Sequence, residues 1–134
     1  MIVTTRARYG LRLLVDVAQH PGSCQLSQVA ERQHVGLPYL RQLSLLLSRA
    51  GFLFSSKGRG GGVQLARPAG EITMKEVFTA LEGDICLTPP IDHESPYAAC
   101  LRMFLYEKVD KQLGAMMEQV TLADLISSPK NFMI

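Results

Sequence analysis

Apolar side chains recur at helical spacing in three stretches of the N-terminal part of the chain. The first stretch follows Thr4 and Thr5, either of which can cap it, and its apolar face comprises Ala7, Leu11, Leu14, Val15 and Ala18. The second is "LSQVAERQ" (26–33), and the third starts near Pro38 and ends at about Ala50. Two β-prone runs, "FLFSS" and "GVQLA", then flank the glycine-rich "KGRGG". The pattern predicts three helices followed by a hairpin.

The next helix has clear boundaries in the sequence. Thr73 and Glu76 have the spacing of a capping box at its start, and Ile72 and Val77 have the spacing of a hydrophobic staple. Gly83 follows its last turn, where a glycine ends many helices. The pattern therefore predicts a helix between Thr73 and Gly83.

A long amphipathic helix is predicted after Ser95 and Pro96, which suit an N-cap and a first turn. Its apolar stripe recurs at steps of three and four residues and comprises Ala98, Leu101, Leu105, Val109, Leu113, Met116 and Val120. The segment "TLADLI", from Thr121, predicts a last short helix. One small domain covers only part of such a stripe, so we expect Leu101, Leu105, Val109, Leu113, Met116 and Val120 to form a homodimer interface. The alternative is that the helix packs across its own domain and the protein is a monomer.

The order helix, short helix, tight turn, helix and hairpin is that of a winged helix-turn-helix. The fold class is therefore predicted to be mostly α with a small β-hairpin wing, joined to a long C-terminal dimerisation helix. We expect a DNA-binding domain over 1–83, a sensor loop over 84–95, and the dimerisation helix with the short last helix over 96–134.

The charges are divided unequally between the two halves of this 134-residue chain. Residues 1–70 carry nine Lys or Arg and two Asp or Glu, a net charge of +7, whereas residues 71–134 carry five and ten, a net charge of −5. A basic half indicates a module that binds a polyanion. The alternative is that the charges belong to ordinary solvent-exposed faces and are unevenly distributed by chance. The basic half leads us to expect a protein that binds double-stranded DNA.

The sequence also bears on where the protein is found. No apolar run is long enough to span a membrane, and no export signal is visible. The three widely spaced cysteines do not form a secreted disulfide framework. We therefore expect a cytoplasmic protein that binds no membrane.

The third helix would enter the major groove by its N-terminal end, as a recognition helix does. Arg41 can bond guanine and Gln42 can bond adenine through two hydrogen bonds each. Tyr39 either donates to a phosphate or props the helix as a half-buried residue. The hairpin tip would follow the phosphates or enter the minor groove. The candidate DNA-binding residues are Leu37, Pro38, Tyr39, Arg41 and Gln42 in the helix and Lys57, Arg59 and Gly60 in the wing.

Several segments together resemble one family of regulators. They are "RYGLRLLVDVA", the Tyr-Leu-x-Gln-Leu of the third helix (39–43), the Gly-x-Gly-Gly-Gly of the hairpin (58–62) and the terminal Thr-Leu-Ala-Asp-Leu (121–125). The chain is similar over nearly its whole length to the Rrf-type winged-helix transcriptional regulators, the IscR/NsrR/CymR-like family. The resemblance implies a homodimer that binds a palindromic operator. Arg41 stands where IscR-like members carry an acid, so the operator preference is expected to differ. Arg59 replaces a frequent proline of the wing and adds a positive charge there.

The resemblance also bears on "ICLTPPIDHESPYAAC" (85–100). Cluster-binding relatives carry three cysteines here; Cys100 matches the last, whereas Pro89 and Glu94 occupy the other two positions. The fourth ligand of such relatives, a histidine or an acid, would fall on Met103 or on Arg8, neither of which can serve as that ligand here. The familiar set of ligands is therefore broken.

Three interpretations of this segment stay open. Cys86, His93 and Cys100, with His34 from a partner subunit, hold an atypical 2Fe–2S cluster or another metal. Alternatively, the protein has no cofactor and Cys86 and Cys100 form a thiol switch. In the third interpretation the cysteines are structural and any signal arrives through a protein partner.

Two other classes of function are disfavoured by the sequence. An enzyme would need a nucleophile and a base close together, but the three histidines are scattered and no such pair is visible. The glycine-rich hairpin lacks the lysine spacing of a phosphate-binding loop and is followed by a strand rather than a helix. We therefore expect a regulator and not an enzyme.

Overall fold

The fold is mostly helical and contains one short hairpin. The computed structural model describes residues 4–58, 61–83, 86, 88 and 95–127. Its elements, in chain order, are α1 (Thr5–Gln19), α2 (Leu26–Gln33), α3 (Leu37–Arg49), β1 (Leu53–Ser56), β2 (Gly62–Leu65), a 3₁₀ turn (Ala69–Glu71), α4 (Met74–Glu82), α5 (Pro96–Phe104), a π-helical segment (Leu105–Asp110), α6 (Lys111–Gln119) and α7 (Leu122–Ser127). This order confirms the predicted fold class.

The N-terminal part of the chain forms a winged helix-turn-helix. Helix α1 packs against α2, α3 and α4, and β1 pairs antiparallel with β2 from Leu53 opposite Leu65 to Ser56 opposite Gly62. Cys24 adds a bridge to β2, because its N–H donates to the Val63 carbonyl at 2.8 Å and its carbonyl accepts from the Val63 N–H at 2.7 Å. The hairpin is thereby attached to the turn between α1 and α2.

The buried face of α1 differs from the predicted one. Ala7 and Leu14 are buried as expected, but Leu13 and Val17 complete the core. The predicted residues Leu11, Val15 and Ala18 are only partly buried at its edge. The core face is rotated because α1 is covered on several sides at once, by α2, α3, α4 and α7.

Helix α4 begins and ends as the sequence predicts. The Thr73 side chain accepts from the Glu76 N–H at 3.2 Å, and the Glu76 carboxylate accepts from the Thr73 N–H at 3.1 Å. Ile72 and Val77, the predicted staple, are both fully buried. Gly83 ends the helix with φ of 79°, a conformation that favours glycine.

The long C-terminal helix spans 96–119 and is not uniform. Ser95 caps it by accepting from the Ala98 N–H at 3.2 Å, and its middle, Leu105–Asp110, is π-helical. The predicted continuation of the stripe to Val120 is wrong, because the helix ends at Gln119 and Val120 has extended backbone. Val120 packs against the core of its own chain.

The chain returns to the winged helix after the long helix. The Met74 N–H donates to the Val120 carbonyl at 2.8 Å, and the Leu122 N–H donates to the Ile72 carbonyl at 2.8 Å. Leu122 is fully buried, and α7 packs against α1. The short last helix, predicted to belong with the dimerisation helix, therefore completes the core of the N-terminal part.

None of the helices among residues 4–58, 61–83 and 95–127 combines the length and apolar character required to traverse a bilayer.

Candidate nucleic-acid interface

Helix α3 presents a mixed polar face to solvent. Gly36 precedes it in extended backbone, with ψ of 132°, and Pro38 lies in its first turn. Leu40, Leu43 and Leu47 are buried and fix the rotation of the helix about its axis. The opposite, outward face consists of exposed Pro38, Arg41, Gln42, Leu45 and Arg49. Of the predicted contact residues, Arg41 and Gln42 thus point to solvent, whereas Leu37 and Tyr39 are half-buried.

The turn before α3 is tight. His34 ends α2 in the left-handed conformation, with φ of 54°, and its N–H donates to the carbonyls of Ala30 and Glu31. The Val35 N–H also donates to the Ala30 carbonyl, at 3.0 Å. These bonds satisfy the last carbonyls of α2 and set the direction in which the chain enters α3. His34 itself is exposed.

A buried carboxylate joins α1 to the end of α2. The Asp16 carboxylate accepts from the Arg32 guanidinium at 2.6, 3.1 and 3.2 Å and from the Gln33 side-chain amide at 2.8 Å. Burial raises the pKa of Asp16, but the hydrogen bonds from Arg32 and Gln33 and the charge of Arg32 outweigh it and hold the pKa below its ordinary value of 3.8. Because Arg32 and Gln33 directly precede the turn, this network supports the position of α3.

Tyr39 contacts a group on α1 that sequence reasoning missed. Its ring meets the Tyr9 ring edge-on, with centroids 6.1 Å apart and an interplanar angle of 86°. The guanidinium carbons of Arg8 and Arg12 lie 5.9 and 5.1 Å from the centroid of Tyr9. This packing matches the propping role considered for Tyr39. Part of this group has a signal in the sequence, since Tyr9 and Arg12 have the i, i+3 spacing at which side chains meet on a helix.

The hairpin tip carries one described cation of the predicted wing. Lys57 is exposed directly after β1, whereas Arg59 and Gly60 lie outside the described residues. The Gly61 N–H closes the turn by donating to the Gly58 carbonyl at 3.0 Å. A Cβ at Gly61 would lie 2.6 Å from the Ser56 carbonyl oxygen, so this turn requires glycine.

The cysteines differ in their surroundings. Cys24 is buried, and burial raises the pKa of its thiol above the ordinary value, which suits a structural residue. Cys86 and Cys100 are exposed free thiols, and the Cys86 thiol donates to the Thr88 carbonyl at 3.7 Å. Thr88 in turn donates its N–H to the Asp110 carboxylate at 3.0 Å.

The predicted metal ligands are only partly described. His93 lies outside the described residues, and Cys86, Cys100 and His34 are each exposed. Within 4–58, 61–83, 86, 88 and 95–127, no three His, Cys, Asp or Glu side chains come together in a group that could hold a metal ion. The described residues of one chain therefore do not form a cluster site.

The predicted dimer residues fall into two groups along the long helix. Leu101 and Met116 are each 57% exposed, whereas Leu105, Val109 and Leu113 are half-buried. Large apolar side chains outside the predicted set are also exposed on this helix: Tyr97, Met103, Phe104 and Tyr106. The apolar surface of α5 is thus larger than the predicted stripe.

Comparison with known proteins identifies relatives along the whole chain. A family model described as "Rrf2: Iron-dependent Transcriptional regulator" matches residues 3–128. Protein rrf2 of Nitratidesulfovibrio vulgaris is 37% identical over an alignment that covers 98% of this chain and 93% of that protein.

Solved structures of two regulators are similar to this fold. The CymR structure, the global cysteine regulator of B. subtilis, has a TM-score of 0.80 and 27% identity, covering 95% of this chain and 97% of that one. The IscR structure of T. potens has a TM-score of 0.78 and 31% identity, covering 100% of this chain and 92% of that one.

Proposed function

The chain belongs to the Rrf2 family of transcriptional regulators, and on this basis we propose that it binds double-stranded DNA as a homodimer at a specific promoter site. The observation that carries the proposal is the outward face of α3, where Arg41 and Gln42 are exposed next to each other on a helix fixed by buried leucines. Both side chains can form paired hydrogen bonds with base edges in the major groove. Binding chromosomal DNA would require a cytoplasmic location.

Phosphate contacts would come from the basic N-terminal part of the chain. Lys57 at the hairpin tip lies on the same winged helix as α3, within the half of the sequence that carries a net charge of +7. Contacts to phosphates fix the register of a protein on the duplex, whereas contacts to base edges select the sequence. Arg41 and Lys57 therefore have different expected roles, and Arg59 and Gly60 are proposed as further wing contacts.

The two roles can be separated by measuring DNA affinity against salt. An operator is first selected from a random DNA library with the wild-type protein. The Kd for this operator and the Kd for unselected DNA are then measured for Arg41→Ala, Lys57→Ala and the control Lys108→Ala. Lys108 is an exposed lysine on the long helix. Arg41→Ala should lose about 10-fold or more in discrimination at one base pair. Lys57→Ala should weaken all sequences evenly and reduce the salt slope by about 1. A wild-type protein that prefers no sequence at moderate salt would refute the proposal.

The homodimer is proposed from the surface of α5. Tyr97 is 87% exposed, Leu101 57% and Phe104 55%, and they recur at steps of four and three residues on one helix. In the described chain, the main contact of α5 is with the π-helical segment that continues it. A second copy related by a two-fold axis would cover this face and would match the two half-sites of a palindromic operator.

Light scattering during size-exclusion chromatography tests the dimer. Leu101→Glu should convert the protein to a monomer at micromolar concentration, because a charge would be buried in the apolar interface. Leu45→Glu is the matched control, since Leu45 on α3 is 53% exposed and should leave the dimer intact. A monomeric wild-type protein would contradict the dimer.

For the signal, the exposed thiols favour a response to oxidation over a conventional cluster. Cys86 and Cys100 are both exposed and free, so an oxidant can reach them, which is one requirement of reversible thiol chemistry. The competing proposal is the atypical 2Fe–2S cluster held by Cys86, His93, Cys100 and His34 of the partner subunit. Anaerobically purified protein should be colourless and free of iron and zinc, and oxidation should change its DNA affinity only while Cys86 or Cys100 is present. Visible absorption with stoichiometric iron would favour the cluster, and a response that survives both Cys→Ser changes would indicate a protein partner.

A further inference from the structure

Leu45 is an exposed leucine on the outward face of the recognition helix. It is 53% exposed, although Leu40, Leu43 and Leu47 of the same helix are buried. Its neighbours on the outward face, one turn before and one turn after, are Arg41 and Arg49, and both are exposed. The interior of this chain therefore does not explain why a large apolar residue stands at this position.

Leu45 lies on the same exposed face of α3 as the predicted base-reading residues Arg41 and Gln42. Pro38, Arg41, Gln42 and Leu45 follow the spacing i, i+3, i+4 and i+7, with which a helix lying in the major groove presents side chains to successive bases. The helix rises about 1.5 Å per residue, so Pro38 and Leu45 are about 10 Å apart along its axis. That distance corresponds to roughly three base pairs at 3.4 Å each.

The chemistry of leucine restricts what it can read there. A leucine side chain neither donates nor accepts hydrogen bonds, and in the major groove the apolar group on a base edge is the C5-methyl group of thymine. We propose that Leu45 reads a thymine methyl group, next to the bases contacted by Arg41 and Gln42. The inference rests on the proposed DNA-binding function and adds a third specificity-determining side chain to the face.

The flanking arginines favour DNA over a protein as the group that covers Leu45. An apolar protein surface placed over Leu45 would also bury Arg41 and Arg49, and burying charges without partners is costly. In a major groove the two guanidinium groups instead reach base edges and phosphates while the leucine meets the methyl group. One surface then satisfies all three side chains.

Deoxyuridine differs from thymidine only by the missing methyl group, so it provides a direct test. In an operator selected with wild-type protein, each thymine is replaced by uracil, one symmetric position at a time, and the Kd is measured. At one position the wild-type protein should lose about 4-fold for one half-site and about 15-fold for both, as expected for one buried methyl group. Leu45→Ala should bind both versions of that operator equally.

Phe54→Ala is the matched control, because Phe54 on β1 is also 53% exposed but lies off α3. This variant should keep the full uracil penalty at the same position. The inference is overturned if no uracil position weakens the wild-type protein, if the selected operator has no thymine near the bases read by Arg41 and Gln42, or if the penalty persists in Leu45→Ala. A protein that selects no operator at all refutes the proposed function instead, so the two failures are distinguishable.

Discussion

Replacement of Asp16 by asparagine tests whether the carboxylate network supports the recognition helix. Asp16 is 2% exposed and receives three contacts from the Arg32 guanidinium and one from Gln33. Asparagine keeps the shape but replaces one acceptor oxygen by an N–H₂ group that faces these donors. A hydrogen bond to a charged group contributes about 2 kcal/mol. The Arg32 side chain is 36% exposed, so water can solvate the donor that loses its acceptor. We therefore expect Asp16→Asn to lower the free energy of unfolding by about 2 kcal/mol at pH 7.

The loss should depend on pH in a defined direction. The pKa of Asp16 is lowered in the folded state, so its carboxylate stabilises the fold above the ordinary value of 3.8 and this contribution disappears as the pH falls through the lowered pKa. The wild-type carboxyl group is then protonated and resembles the amide. The difference between wild type and Asp16→Asn should consequently be full near neutral pH and shrink in strong acid.

Urea unfolding at fixed protein concentration measures both effects. The control is Glu31→Gln, which removes one negative charge from the exposed side of α2 and should change the stability by less than about 0.5 kcal/mol. DNA affinity is measured below the unfolding transition, where Asp16→Asn should bind more weakly because α2 no longer holds the turn before α3. Equal stability of the two proteins at pH 7, or a difference that stays constant into acid, would show that the reasoning about this network is wrong.

Three further substitutions test contacts between the elements of the winged helix. Gly10→Ala should lower the free energy of unfolding, measured in urea titrations, by about 1 to 3 kcal/mol, because the new Cβ would lie 2.8 Å from the Leu81 side chain. Gly114→Ala is the control and should not destabilise the chain, because the nearest atom would be 3.7 Å from the new Cβ. Gly62→Ala should detach the hairpin, because its Cβ would lie 2.2 Å from the Cys24 carbonyl oxygen; faster amide exchange at Val63 would show this, and unchanged exchange would argue against it. Glu82→Ala should lower the free energy of unfolding by about 0.5 to 1 kcal/mol, because the Glu82 carboxylate accepts from the Ala7 N–H at 3.1 Å. Glu31→Ala, which removes no such bond, is the control. Equal melting temperatures of Glu82→Ala and the wild-type protein would count against the contact.

Local signals in the sequence predicted most of the fold. The bounds of α2 agree with the prediction, and the capping box of Thr73 and Glu76 located the start of α4. The residues of such a signal lie close together in the sequence, so the signal can be recognised without knowledge of the tertiary structure. Arg41 and Gln42 were predicted to face DNA from their place near the N-terminal end of the third helix, and both are exposed in the structure.

The features that the sequence did not predict depend on distant partners. Asp16 belongs to the core only because Arg32, sixteen residues later, folds over it, and an isolated carboxylate in a helix ordinarily indicates a solvated face. Val120 continued the helical period of the long helix, but its carbonyl is required by Met74 across the fold, and the backbone turns away to supply it. Periodicity describes one element at a time and contains no information about such pairs.

The long helix is attached to the winged helix at one end, and this asymmetry constrains how a signal could reach the DNA. Glu118 on α6 pairs with Lys75 on α4 at 2.8 Å, and the backbone bonds of Val120 and Leu122 secure the turn beyond α6. Helix α5, in contrast, has no residue buried by the described chain. The π-helical segment separates the two, and Asp110 at its end accepts from Thr88, two residues after Cys86. The proposed signal at Cys86 would therefore act beside the π-helical segment that joins α5 to α6, and not at α3.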